Sequence, residues 1–167
     1  MQIETVLFGP SDWVPNNRTL PVLLYRGALA GERNLVRAFE DRFHANGWGG
    51  SWVNGVFSYH HFHTRGHEVL GIAAGSATLL IGGPTGRSFD VGAGDALVLP
   101  AGTGHRRMEA GSDFLVVGAY PPGQFADIRT ERATPAELAA IAAVPLPEAD
   151  PIGGQSGALR QHWRSAG

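Results

Sequence analysis

Cysteine and lysine are both missing from this chain of 167 residues. Without cysteine the chain cannot form disulfides, iron–sulfur clusters, thiolate zinc sites or a cysteine nucleophile. All 13 basic residues are arginines, which excludes Schiff-base chemistry on a lysine and the lysine of a phosphate-binding loop. Any bound metal ion must therefore be held by nitrogen and oxygen atoms.

A surplus of charge and long apolar runs are missing as well. The 13 basic and 15 acidic residues give a formal net charge of −2, whereas a nucleic-acid-binding protein normally presents a basic face. No run of about 18 apolar residues is available to cross a membrane, and residues 1–13 lack the basic start and apolar stretch of a secretory signal. We therefore expect a cytoplasmic protein that binds neither nucleic acids nor membranes.

Short apolar runs, each bounded by Gly, Pro or Asp, fill the chain from Trp52 to Tyr120. They predict seven strands, the first of them over residues 56–63, and such a density of short strands is typical of a β-sandwich or β-barrel. One or two further extended segments are expected within residues 1–27. We expect a single domain over residues 1–167 in three parts: N-terminal strands and helix (1–50), barrel core (51–121), and C-terminal helix and tail (122–167).

Two helices are predicted outside the strand-rich part. Between Gly31 and Gly47 the apolar residues recur at helical spacing, opposite a mostly charged face: Leu35, Val36, Phe39 and Phe43. Residues 134–137 read Thr-Pro-Ala-Glu, a capping box with proline at the first helical position, which predicts a short helix over residues 135–143. The tail beyond this helix has no periodicity, and we expect it to wrap around the domain.

Residues 59–68 hold four of the seven histidines and one glutamate. If the beginning of this stretch is a strand, His61 and His63 leave it on the same face, with α-carbons about 6.6–7 Å apart. Glu68 follows a tight turn that would return the chain antiparallel, so its carboxylate can reach the same ion. A further ligand would have to come from elsewhere, and His105 follows a strand and a Pro/Gly turn downstream.

The two other histidines of this stretch, His60 and His67, should point away from such an ion by strand parity. A surface, interface or supporting role is the expectation for both. A slip of one residue at the turn would exchange the faces of His67 and Glu68, which keeps His67 open as a substitute ligand.

These spacings resemble the paired motifs of the cupin superfamily, G(X)5HXH(X)4E(X)6G and G(X)5PXG(X)2H(X)3N. The matching residues are Gly55, His61, His63, Glu68 and Gly75, then Gly94, Pro100, Gly102 and His105. Glu109 stands where the second motif ends in Asn. The resemblance implies an all-β, single-domain jelly-roll barrel with the two short helices, and one divalent metal ion held by His61, His63, Glu68 and His105. Such ligands suit Fe, Mn, Ni, Co or Zn and do not choose among them.

Three further residues are candidates for catalysis. Period-2 counting places Arg107 and Glu109 on the face of His105, where Glu109 would be a general base and Arg107 a substrate clamp. A purely structural Arg–Glu pair is the alternative. Tyr59 is expected inside the barrel near the ion, where its hydroxyl needs a partner, and Phe57 on the same face is expected in the core.

The resemblance implies a metal-dependent enzyme of the dioxygenase, decarboxylase or isomerase type, acting on a small polar or carboxylate metabolite. The alternative is a cupin that binds or senses a sugar or organic acid without turnover. A homodimer is expected, because the resemblance suggests one and the apolar N-terminal segments could add to the sheet of a neighbour.

Overall fold

Short strands rich in Val, Leu and Ile form two antiparallel sheets. The computed structural model describes residues 1–164, and the strands in this range are β1 (Gln2–Val6), β2 (Val22–Arg26), β3 (Gly49–Asn54), β4 (Glu68–Ala74), β5 (Ser76–Ile81), β6 (Arg87–Gly92), β7 (Ala96–Leu99), β8 (His105–Ala110) and β9 (Leu115–Tyr120). The helices in the same range are α1 (Leu35–Ala45), α2 (Pro135–Ala143) and α3 (Ala158–His162). None of these helices has the length and apolar character needed to span a membrane. The predicted all-β fold of the jelly-roll type is confirmed.

Strands that are neighbours in a sheet are mostly distant in sequence. The larger sheet runs β1-β2-β7-β4-β9-β3, and the smaller runs β6-β5-β8. β7 pairs with both β2 and β4, and β9 pairs with both β4 and β3. This topology, in which the chain passes from β4 in the larger sheet to β5 and β6 in the smaller and back to β7 in the larger, is typical of a jelly roll. It also brings the first residues of β4 beside the last residues of β9, because Val69 pairs with Ala119.

The central strands of the larger sheet, β2, β7, β4 and β9, are buried on both faces. Because successive strand residues point to opposite faces, Val69 of β4 joins the core cluster around Phe39 and Phe43 of α1. Leu70, the next residue, joins the cluster between the two sheets together with Leu79 of β5. Each side chain of this kind contributes about 1.5–3 kcal/mol when it is fully buried. Burial on both faces explains why these strands read as unbroken apolar runs.

Both predicted helices are confirmed, and local capping explains where they begin. The Asn34 side chain accepts a hydrogen bond from the backbone N–H of Arg37 at 3.2 Å, at the beginning of α1. At α2 the Thr134 hydroxyl accepts from the Glu137 N–H at 3.1 Å, and the Glu137 carboxylate accepts from the Thr134 N–H at 2.9 Å. The capping box therefore forms in full, and α2 covers the predicted residues.

The predicted strand over residues 56–63 is wrong. This segment is joined to its surroundings by two isolated bridges, between His61 and His105 and between Phe62 and Arg129. The two bridges lead to different parts of the chain, so no continuous ladder of hydrogen bonds forms on either side. Side chains still alternate here, because Tyr59, His61 and His63 line one pocket whereas His60 and Phe62 pack against Trp13.

One buried carboxylate, that of Asp150, anchors the tail after α2. It accepts hydrogen bonds from the Tyr25 hydroxyl at 2.6 Å and from the backbone N–H groups of Ile152, Gly153 and Leu159 at 2.6, 2.8 and 2.9 Å. Burial, and then the negative charge of Asp150, raise the pKa of Tyr25, so the phenol keeps the proton that it donates. Ile152 and Leu159 join the core cluster around α1. The tail therefore wraps the domain as expected, although α3 was not predicted.

Candidate metal centre

Three buried histidine side chains converge beside the core between the sheets. His61 and His63 come from the segment before β4, and His105 is the first residue of β8. Mutual backbone hydrogen bonds of 3.2 and 3.0 Å join His61 to His105 and bring their rings to a centroid distance of 4.1 Å. One ring nitrogen from each of the three histidines lies within 4.8 Å of the others. This spacing fits a single ion bound by all three.

The same hydrogen-bond pattern orients all three imidazoles. Each Nδ1 lies close to a backbone carbonyl: that of Tyr59 for His61 at 3.1 Å, Asp127 for His63 at 2.5 Å, and Thr103 for His105 at 3.0 Å. Because a carbonyl oxygen only accepts, Nδ1 carries a proton in each ring, and Nε2 is the nitrogen left to bind an ion. Metal-binding histidines are commonly held in this way.

A single carboxylate, that of Glu68, lies beside the imidazoles. Glu68 is buried at the first position of β4, and its Oε1 lies 3.3 Å from His63 Nε2 and 3.7 Å from His105 Nε2. The structure thus brings together the four residues that the motif spacing named, from three separate parts of the chain. The donor set is three nitrogens and one carboxylate, which suits a divalent transition-metal ion.

Burial sets the charge state of this cluster. It lowers the pKa of His61 to about 4 and that of His105 well below its ordinary value, with the neighbouring imidazoles adding to the effect at His105. At His63 burial also lowers the pKa, but the Glu68 carboxylate and its hydrogen bond outweigh burial, so the net pKa is raised. Positive charge is therefore favoured between His63 and Glu68. The residues present fit a bound cation.

No family model matches the sequence. The uncharacterized protein YjlB of Bacillus subtilis is 35% identical over 164 residues, which covers 97% of each chain. Two proteins this similar over nearly their full lengths belong to one family. With the paired motifs assembled on a jelly roll, the wider assignment follows. The chain belongs to the cupin superfamily.

Solved structures with a similar fold share little sequence with this cupin. Acireductone dioxygenase from Bacillus anthracis, with a cadmium ion in its active centre, is 18% identical over 64% of this chain and 78% of that chain, with a TM-score of 0.40. A dTDP-6-deoxy-D-glucose-3,5-epimerase from Legionella pneumophila is 10% identical over 75% of this chain and 74% of that chain, with a TM-score of 0.41. A tryptophan-to-tyrosine variant of oxalate decarboxylase from Bacillus subtilis is 17% identical over 70% of this chain but only 29% of that chain, with a TM-score of 0.40.

Tyr120, which sequence reasoning did not single out, adjoins the Glu68 carboxylate in this cupin. Its hydroxyl accepts a hydrogen bond from Trp52 Nε1 at 2.8 Å. Burial, followed by the charge of Glu68, raises the pKa of Tyr120, so the phenol stays protonated. Gly118 makes room for the indole, because a Cβ there would lie 2.1 Å from Trp52 Cε2. Only the pairing of β4 with β9 reveals that Tyr120 and Glu68 are neighbours.

A β-bulge in β8 separates the two candidate catalytic residues Arg107 and Glu109. Arg107 pairs with Leu79, while Glu109 pairs with Thr78, so Met108 is an extra residue. Leu79 is buried in the core between the sheets, and Thr78 lies on the opposite face of β5. Arg107 therefore lines the pocket, whereas Glu109 is exposed outside it. The prediction that Glu109 shares the face of His105 is wrong, and the proposed Arg107–Glu109 pair does not form.

Tyr59 lies at the mouth of the pocket rather than inside the barrel. Its ring stacks on Phe57 with a centroid distance of 4.8 Å and an interplanar angle of 15°. Phe57 and Tyr59 are 45% and 46% exposed. The expected core position of Phe57 is therefore wrong, whereas Tyr59 lines the pocket on the His61 side as expected, with its ring centroid 5.8 Å from that of His61, although it is half exposed.

His60 and His67 lie outside the cluster. The Gly83 N–H donates to His60 Nε2 at 3.1 Å. His67 is fully buried, its Nδ1 accepts from the Ala101 N–H at 2.9 Å, and its ring packs against Trp163 at a centroid distance of 4.7 Å. In this geometry Glu68 and not His67 faces the imidazoles.

The cluster opens into a pocket of about 540 Å³. Its walls include Trp52, Leu70, Tyr120 and Ile128, with Arg107 as the one arginine of the lining. A larger cavity of about 790 Å³ lies between residues 10–20 and α2, and no histidine lines it. Size alone would favour the larger cavity, but the donor set lies in the smaller one.

Proposed function

We propose that this cupin binds one divalent metal ion through His61, His63, Glu68 and His105, and that it is an enzyme acting on a small polar metabolite. The observation that carries the proposal is the grouping of three buried imidazoles, with ring nitrogens within 4.8 Å of one another, beside the buried Glu68 carboxylate, which lies 3.3 Å from His63 Nε2 and 3.7 Å from His105 Nε2. Removing a carboxylate from water is costly unless a cation compensates it. Iron, manganese, nickel, cobalt and zinc all suit such ligands.

When bound, a divalent ion would act as a Lewis acid on a substrate oxygen. The protein's own part is to hold the donors and to shape the pocket. Backbone carbonyls fix the three imidazoles in the tautomer that presents Nε2. The protonated Tyr120 hydroxyl, itself held by Trp52, lies beside the Glu68 carboxylate. The pocket of about 540 Å³ admits a small metabolite.

The motifs imply a dioxygenase, a decarboxylase or an isomerase. Which of these reactions the protein catalyses would depend on the substrate that it binds. A substrate must offer an oxygen to the ion and a polar group to the pocket wall. The protein would exclude water with the apolar side chains Leu70, Val56 and Ile128, which line the pocket. Exclusion of water strengthens electrostatic interactions inside such a pocket.

Metal analysis tests the first half of the proposal. Protein purified without chelators should hold about one ion per chain by plasma mass spectrometry, and His61→Ala and Glu68→Ala should lose most of it. The matched control is His60→Ala, which removes an adjacent imidazole that faces Gly83 instead. Less than about 0.1 ion per chain in the unmodified protein, after loading with each candidate metal, would end the metal assignment.

Turnover tests the second half. Metal-loaded protein is incubated under air with a panel of small metabolites, and products and oxygen uptake are followed by mass spectrometry and an oxygen electrode. An enzyme gives a new product that the His61→Ala protein does not form. A compound that binds saturably and is always recovered unchanged would replace the enzyme by a binding or sensing cupin.

A further inference from the structure

Arg107 brings an uncompensated positive charge into the pocket. Arg107 lines the same pocket as His61 and Glu68. Among residues 1–164 no carboxylate forms an ion pair with it, and its side chain makes no hydrogen bond. The Glu68 carboxylate, which lines the same pocket, contacts His63 and His105 instead of Arg107. A half-buried arginine without a partner is ready to receive an anion.

The bulge in β8 is the cause of this free charge. In a regular ladder without the bulge, Met108 would pair with Thr78 and Glu109 with Ala77, which would place Glu109 on the pocket face beside Arg107. The bulge turns Glu109 to solvent and leaves Arg107 facing inward. Bulges often re-aim a side chain in this way beside a functional site. The pocket is therefore biased towards ligands that carry a negative charge.

An apolar surface adjoins Arg107 at the mouth of the pocket. The backbone N–H of Arg107 donates a hydrogen bond to the backbone carbonyl of Phe57 at 2.9 Å, so these two residues are direct neighbours. Phe57 and Tyr59 stack, and with Ile128 they line the mouth while remaining 45%, 46% and 49% exposed. Exposed apolar side chains grouped around a pocket are typical of a ligand-contacting surface.

We propose that the substrate is a small carboxylic acid with an aromatic or apolar body. The carboxylate pairs with the Arg107 guanidinium, and the body lies against Phe57 and Tyr59. One guanidinium matches the single charge and the two oxygens of a carboxylate. This inference rests on the proposed function, because it takes the pocket beside the metal donors as the substrate site.

Calorimetric titration with phenylacetate, its neutral amide and acetate tests the proposal on zinc-loaded protein. Phenylacetate should bind more tightly than phenylacetamide, and Arg107→Gln should weaken phenylacetate binding by about tenfold or more. The matched control is Arg106→Gln, the neighbouring arginine that pairs with Leu80 and does not line the pocket. It should bind phenylacetate like the unmodified protein. Phe57→Ala should weaken phenylacetate binding and leave acetate binding unchanged.

Equal binding of acid and amide, absence of binding, or equal losses in Arg107→Gln and Arg106→Gln would overturn the inference. The metal content of each sample is measured in parallel to separate this failure from failure of the proposed function. If the Arg107→Gln protein keeps its ion and the acid preference does not depend on Arg107, only the inference fails. If no protein holds an ion but EDTA-treated protein still binds phenylacetate through Arg107, the metal assignment fails and the anion site stands.

Discussion

Acid should destabilise this cupin through His67, a histidine outside the metal donor set. His67 is fully buried, and burial lowers its pKa to about 4 from an ordinary value of 6.5. Its Nδ1 accepts the Ala101 N–H, so a second proton would break that hydrogen bond. The backbone carbonyls of Val144 and Pro145 lie on its other side, where Nε2 has no hydrogen bond of good geometry among the described residues.

The sign and size of the effect follow from these two pKa values. Between pH 6.5 and pH 4 the unfolded chain binds a proton at residue 67 that the folded protein does not, so the free energy of unfolding falls as the pH falls. Above pH 6.5 the contribution is fully present. One pKa unit corresponds to about 1.4 kcal/mol, which gives a loss of about 2 kcal/mol at pH 5 and about 3 kcal/mol at pH 4.

Urea unfolding in EDTA at pH 7, 6 and 5 measures this loss without a contribution from bound metal. His67→Asn keeps an acceptor for the Ala101 N–H but cannot take up the proton. From pH 7 to pH 5 its free energy of unfolding should therefore decrease by about 2 kcal/mol less than that of the unmodified protein. His44→Asn, an exposed position on α1, is the control and should keep the original slope. Equal slopes for His67→Asn and the unmodified protein would refute the reasoning.

Three further predictions concern packing, the donor set and assembly. Gly118→Ala places a methyl group against the Trp52 ring and should cost about 1–3 kcal/mol in urea unfolding, whereas Gly9→Ala, with open space around it, should cost little. Tyr120→Phe removes the hydroxyl beside Glu68 and should lower metal affinity by about tenfold in competition with a fluorescent chelator; unchanged affinity would show that the hydroxyl does not support the carboxylate. Sedimentation equilibrium should give twice the 17.7 kDa chain mass, and a species of 17.7 kDa alone would exclude the proposed homodimer.

Features encoded within a few consecutive residues could be predicted from the sequence. The bounds of α2 follow from the capping residues Thr134 and Glu137, which act on the turn that contains them. Motif spacing likewise named His61 and His105 together, although only their backbone pairing shows how the two rings meet.

Features that depend on strand pairing could not be predicted in this way. The bulge that turns Glu109 outward arises from the register of β8 on β5, and the segment itself contains no glycine or proline to mark it. Tyr120 meets Glu68 only because β9 pairs with β4. Phe57 leaves the core because its segment is held by isolated bridges instead of a ladder. In each case the deciding contact is distant in sequence.

The anchoring of the tail by Asp150 changes what counts as the minimal folding unit. A version of the chain shortened to the two sheets would leave the Tyr25 hydroxyl buried without its acceptor, at a cost of about 1–3 kcal/mol. It would also uncover the apolar side chains that Ile152 and Leu159 now cover beside α1. The final segment is therefore an integral wall of the domain, and a boundary drawn at the last strand would produce a fragment prone to aggregate.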